Sequence, residues 1–276
     1  MGEFWNARML ECSNARMLEC SNARMAPTSH LCLLVNSILA FKHSSIRAFP
    51  PPSPRYSAPV PPSPLQTELW LIRHGESLAN ISGVIHGQDD SPLSPHGQVQ
   101  VRLLAARLAT CGATRLVAST LRRAQETAAA LVATTGLTVE FEPRLREVSV
   151  GTWEGRTAGE IAAAEPAAWA RWEARDPDLP LGGAETYRDA IARCTAALQD
   201  IAVRHRHERI LVVGHGGVLR GYLAGVLGLD LRQMWRLALD NTSISRVRPF
   251  QQVMGGPDQL LGRVQLINDT AHLEDR

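Results

Sequence analysis

Three apolar runs in this 276-residue chain end in side chains that can do chemistry. Leu69-Trp70-Leu71-Ile72 leads into Arg73-His74-Gly75. Ile210-Leu211-Val212-Val213 leads into Gly214-His215-Gly216-Gly217. Leu116-Val117-Ala118 leads through Ser119-Thr120-Leu121 to Arg122-Arg123. A carboxylate, Glu147, follows in Leu145-Arg146-Glu147, shortly before Gly151-Thr152-Trp153-Glu154-Gly155. Guanidinium forks match phosphate oxygens. A neutral imidazole can accept a phosphoryl group, and a carboxyl can pass a proton to a leaving oxygen. Gathered in one place, these groups point to phosphoryl transfer. Gly216 and Gly75, each following a histidine, let the backbone approach a phosphate closely.

Each residue also has a plainer reading. A lone histidine after a strand is usually a satisfied core group, and only the joint pattern argues for chemistry. Arg122 reads as a surface helix charge. Glu142 and Glu154 are rivals to Glu147. His205 and His207 fit a helix C-terminus better than a metal site, because positive groups favour that end of the dipole. His86, His96 and His272 read as surface residues, with His86 next to Gly87 left open. Trp153, Trp169 and Trp172 read as core, with a cap over the site as the alternative.

The elements that must position these groups alternate. Short apolar runs read as buried strands, and ligands bind beyond the carboxyl ends of such strands. Ser94-Pro95 reads as a helix start, followed by an apolar face of Val101, Leu104, Ala105 and Leu108. A second helix over Leu121, Ala124, Ala128 and Leu131 ends at Gly136, and a short strand follows from Thr138 to Phe141. Residues 157–176 read as helix broken at Pro166. Tyr187, Ile191, Cys194, Leu198 and Ile201 describe a long helix with one buried stripe. A further helix is expected after His215, then late strands over 242–247 and 260–266, antiparallel at an edge. The sum is one three-layer α/β/α domain with a mostly parallel sheet and helices on both faces.

The motifs resemble those of the histidine phosphatase superfamily, the phosphoglycerate-mutase-like proteins. The resemblance rests on Arg73-His74-Gly75-Glu76-Ser77 with Asn80, on Gly87, and on Pro92-Leu93-Ser94 with Gly97. It continues through Ser119 to Thr127, through Glu147 with Gly151 and Trp153-Glu154-Gly155, and through Gly214-His215-Gly216-Gly217, covering residues 67–270. It implies His74 as the nucleophile that becomes phosphorylated. Arg73, Arg123 and His215 would form the phosphate pocket, and Glu147 would act as acid and then base. Asn80 and Gly87 match positions that approach the substrate. Residues 148–214 between Glu147 and His215 number 67. Cofactor-dependent mutases of the family carry a longer insertion there, so the resemblance favours the small phosphatase branch. The expected activity is metal-independent hydrolysis of small phosphate monoesters through phosphohistidine. The alternatives are a phosphoglycerate-type mutase and a catalytically inactive binding protein. No cofactor is implied.

Composition sets the remaining bounds. Residues 67–276 hold 23 Arg and 24 acidic side chains, so this region is near −1 and the overall +2 comes from residues 1–66. A near-neutral body argues against nucleic acid as a partner. The expected partner is a small phosphorylated metabolite, with a homodimer left open. Residues 6–25 repeat Asn-Ala-Arg-Met-Leu-Glu-Cys-Ser, and Pro50 to Pro64 reads as a proline-rich linker. Residues 1–66 are therefore read as a non-native or disordered extension, with organellar targeting as the minor reading. The apolar run Leu31–Phe41 is too short for a membrane, which needs roughly 20 residues. Cys111 and Cys194 have no metal-like or disulfide spacing, which fits a reduced, cytoplasmic setting.

Overall fold

The computed structural model describes residues 66–249 and 262–274. The repeat, the proline-rich linker and the apolar run expected before residue 66 lie outside these residues, as do residues 250–261, which take in the first two positions of the strand expected over 260–266. In chain order the strands are β1 (Glu68–Arg73), β2 (Arg115–Ala118), β3 (Val139–Phe141), β4 (Arg209–Gly214), β5 (Ile244–Pro249) and β6 (Gly262–Asp269). The helices are α1 (Leu78–Ser82), α2 (Pro95–Leu108), α3 (Arg122–Thr135), α4 (Ala158–Ala164), α5 (Pro166–Glu173), α6 (Tyr187–Arg204) and α7 (Gly216–Val226).

Local chemistry sets the ends of these helices. The Ser94 hydroxyl accepts the Gly97 N–H at 2.9 Å, with Pro95 in the first turn of α2. Gly136 closes α3 in the left-handed region at φ 70°. Pro166 cannot continue α4 and instead starts α5.

The six strands form one sheet in the order β3-β2-β4-β1-β5-β6. The first four run parallel, whereas β5 pairs antiparallel with β1 and β6 antiparallel with β5. Strand residues alternate between two cores, as the pleat requires. Leu69, Leu71, Val117, Ile210, Val212 and Val247 join the core shared with α6 and α7. Ile72, Leu116, Ala118, Leu211, Val213 and Ile244 join the core shared with α2 and α3. Each Leu or Ile so buried contributes roughly 1.5–3 kcal/mol. Burial on both faces explains why these strands read as continuous apolar runs rather than alternating ones.

Register places the chemistry. In the parallel pair β1–β4, Arg73 lies opposite Gly214. The next residues, His74 and His215, therefore leave neighbouring strands at the same height. Among the described residues no helix is long and apolar enough to cross a membrane.

Candidate active site

His74 is buried, 3 % exposed, at the carboxyl end of β1. Its Nδ1 lies 2.7 Å from the Gly75 carbonyl oxygen. A carbonyl can only accept, so Nδ1 carries the proton and Nε2 keeps its lone pair. Arg123 Nε donates to that Nε2 at 3.3 Å. Burial, then the charges of Arg123 and Arg73, push the His74 pKa well below its ordinary value. The ring is therefore a neutral imidazole with its nucleophilic nitrogen turned towards a guanidinium.

The two arginines are held by neutral carbonyls. Arg123, fully buried at the start of α3, donates to Gly87 O at 2.6 Å and Asp89 O at 2.8 Å. Arg73 donates to Leu239 O at 2.7 Å, and its buried Nε has no partner among the described residues. Carbonyl partners fix a guanidinium without neutralising it, which leaves its charge for an anion. Arg122 behaves as expected of a surface charge, exposed and paired with Glu126 at 2.8 Å.

Glu147 sits at the N-terminus of α7. Its carboxylate accepts from Gly217 N at 2.7 Å, Val218 N at 3.2 Å and its own neighbour Val148 N at 3.0 Å. A Cβ on Gly217 would stand 2.6 Å from Glu147 Oε1, so only glycine leaves room for the carboxylate. The rival acids are used elsewhere. Glu154 accepts from Gly87 N and Gln88 N, and Glu142 pairs with Arg144. Arg193 of α6 secures the loop that carries Glu147. Its guanidinium donates to the carbonyls of Arg144, Arg146 and Glu147 at 2.9, 2.6 and 2.8 Å and pairs with Glu185.

His215 packs against His74 with ring centroids 5.1 Å apart. It is fully buried, and burial together with Arg123 and His74 pushes its pKa well below the ordinary value. Its Nε2 lies 2.8 Å from Ser119 Oγ, and its Nδ1 has no partner among the described residues.

Arg73, His74, Arg123, Glu147 and Gly216 line a cavity of about 160 Å³, whereas His215, packed against His74, is not in its lining. Asn80 also lines it, and its Nδ2 donates to Nε2 of His86, a residue that faces the cavity rather than bulk solvent. Gly87 is placed differently from the expectation. It is buried and not in the lining, and serves the site through its carbonyl on Arg123. A Cβ there would meet Val148 O at 2.2 Å, so a close backbone approach requires a glycine here. His272 is half-buried rather than a surface group; burial, then Arg107, lowers its pKa to about 4.

Arg220, Tyr187 and Trp235 also line the cavity, although no motif marked them. Arg220 was open to inference, since it lies one helical turn beyond Gly216 and Gly217 on the same face of α7. Trp153 is core, whereas Trp172 stacks on Tyr187 at 5.9 Å and meets Trp235 edge-on at 6.1 Å.

A neutral histidine facing an arginine, a second histidine and arginine beside it, and a carboxylate on a helix N-terminus form an arrangement on this α/β sheet whose chemistry suits phosphoryl transfer. Residues 69–254 match the histidine phosphatase superfamily, branch 1, and the chain belongs to that superfamily. It is 36 % identical over 183 residues to an Enterobacter protein carrying the name probable phosphoglycerate mutase GpmB, covering 65 % of this chain and 84 % of that one. It is 31 % identical over 179 residues to a protein named as a phosphoserine phosphatase from Hydrogenobacter thermophilus, covering 65 % and 88 %. The crystal structure of the α-ribazole phosphatase from Shigella flexneri superposes with a TM-score of 0.65 at 26 % identity, covering 74 % and 96 %.

Proposed function

We propose that the protein hydrolyses small phosphate monoesters through a phosphohistidine on His74. The observation that carries this reading is the tautomer of His74, with Nδ1–H tied to Gly75 O and the lone pair kept on Nε2, which faces the Arg123 guanidinium. In the first step the Nε2–P bond forms as the bond from phosphorus to the ester oxygen breaks. Glu147 gives its proton to the departing alkoxide, which leaves as the alcohol. Arg73, Arg123 and His215 hold the charge spread over the equatorial oxygens. In the second step water attacks phosphorus, the N–P bond breaks, and ionised Glu147 takes the water's proton. Inorganic phosphate leaves and His74 is neutral again.

Hydrolysis is favoured over transfer because Glu147, Asn80 and Trp235 around the cavity are only half-buried, so water can reach the phosphoenzyme. The free thiols Cys111 and Cys194 support action in a reducing, cytoplasmic compartment. The deciding experiment supplies labelled ester to the full chain. Alkali-stable, acid-labile label on the protein, with phosphate released, supports the reading, and label retained on His74→Ala refutes it. The relative named as a phosphoglycerate mutase favours a second reading. Isomerised 3-phosphoglycerate with little free phosphate, dependent on a bisphosphate primer, would select it. No turnover of any ester in the wild type would instead indicate an inactive binding protein.

A further inference from the structure

One short segment, residues 239–243 just before β5, grips the end of β1 that carries Arg73 and His74. Besides the bond from the Arg73 side chain to Leu239 O, the Arg73 N–H donates to Ser243 O at 3.3 Å. The Thr242 N–H donates to Arg73 O at 3.0 Å and to His74 O at 3.3 Å. Asn241 Nδ2 donates to His74 O at 2.9 Å and to Asn80 Oδ1 at 3.4 Å. Its two amide hydrogens thus serve the main chain of His74 and the side chain of Asn80. Asn80 Oδ1 also accepts the Ser77 N–H at 3.0 Å, so its oxygen is filled and its Nδ2 is turned to His86. Asn241 itself is not in the cavity lining.

The segment is strained and braced. Thr242 has φ 59°, a left-handed conformation that a β-branched residue rarely adopts. Its hydroxyl donates to Asn241 O at 2.7 Å and lies 3.0 Å from His272 Nε2. Arg107 donates to His272 Nδ1 at 3.3 Å, so Nε2 carries the ring's proton and donates to the hydroxyl oxygen. The Asp240 N–H donates to Asn268 Oδ1 at 2.6 Å, and Asn268 Nδ2 returns a bond to the Asp240 carboxylate at 2.7 Å. The end of β6 and the turn after it therefore hold the segment through residues that do not line the cavity.

We propose that Asn241 is a positioning residue for phosphoryl transfer, fixing the His74 main chain and the Asn80 amide together, with Asn268 and His272 bracing it. This rests on the reading of His74 as the nucleophile. In-line attack tolerates little displacement of Nε2, and an error of about 1 Å can cost on the order of 10²-fold. A single planar amide joined to both groups keeps their separation constant.

The test measures turnover of an aryl phosphate by the full chain. Asn241→Ala should lower kcat about 10- to 100-fold, keep KM within about threefold, and slow phosphorylation of His74 in step. An unchanged kcat in the folded variant, or a loss carried by KM alone, would overturn the proposal. Combining Asn241→Ala with Asn80→Ala tests the link between them. The double variant should lose little more than the worse single one, and fully additive losses would overturn it. Asn268→Ala keeps the proposal open to refutation if Asn241→Ala does not fold. It should lower kcat about two- to tenfold and speed exchange of the Thr242 amide hydrogen about tenfold. A wild-type value of either would overturn the proposal. Exchange needs no substrate, which separates the two levels. If the wild type neither turns over the ester nor forms phosphohistidine, the nucleophile reading fails and the positioning role falls with it. Faster exchange in Asn268→Ala would then mark a purely structural brace.

Discussion

The two ends of the central strands carry charge in opposite ways. At the amino end, Glu68 opens β1 almost fully buried, and Arg209 and Arg248 close on it from β4 and β5. The carboxylate there is paired within the chain. At the carboxyl end, Arg73 and Arg123 are gripped by the carbonyls of Leu239, Gly87 and Asp89. Among the described residues Arg123 makes one ion pair, with the Asp89 carboxylate at 3.6 Å, and Glu147 also acts on its charge. The same sheet therefore ends in a closed ion cluster on one side and an open one on the other. An internally paired charge serves architecture, whereas a guanidinium fixed by neutral oxygens keeps its field for a ligand.

That contrast can be broken or sharpened by measurement. The largest effect belongs to His74→Ala, which should lower kcat by on the order of 10⁴-fold or more with the fold intact by circular dichroism. Glu147→Gln should lower kcat by about 10²–10⁴-fold. Because its loss is at the proton-transfer steps, activated esters with good leaving groups should lose less in the first step than alkyl esters.

The open end should also show in acid. Folding lowers the pKa of both His74 and His215 below the unfolded value near 6.5. Above that pH both states are neutral and these groups leave stability flat. Below it the unfolded chain binds protons that the folded one refuses, so stability falls as pH falls, by up to about 1.4 kcal/mol per pH unit for each ring. Urea unfolding between about pH 5 and 8 reads the slope, and a flat profile would contradict buried neutral rings.

Arg193→Met frees the loop bearing Glu147 and should lower kcat about 10- to 100-fold with KM little changed. An effect on KM alone would deny Arg193 its positioning role. At the closed end, Glu68→Gln should cost about 1–2 kcal/mol of stability and leave kcat/KM within about twofold. A variant at that end that impaired turnover as strongly as one at Glu147 would erase the distinction between the ends.

Much of this was legible from the chain alone because two-sided burial writes itself as uninterrupted apolar runs. Runs such as Leu69–Ile72 and Ile210–Val213 gave the strands, and Ser94-Pro95, Gly136 and Pro166 gave the helix ends. The antiparallel late strands were likewise legible, as β5 and β6. What was hidden lies where one residue serves two purposes. Tyr187 reads as the start of a buried stripe, and it is buried, yet its ring also faces the cavity. Arg193 reads as an ordinary polar helix position, since nothing local reveals that three carbonyls from a distant loop converge on it. At Gly87 the motif marks a close approach without naming the partner, which here includes Val148 O.

The donors that hold Glu147 belong to the main chain, and side-chain truncation cannot delete them. An alanine scan across α7 would thus register Gly217 as sensitive through its added methyl and pass over the amide at 218 altogether. Proline is the reagent that exposes it. Val218 sits in the first turn, where a backbone N–H has no partner inside the helix to lose. Val218→Pro would withdraw one donor from the acid while the helix persists.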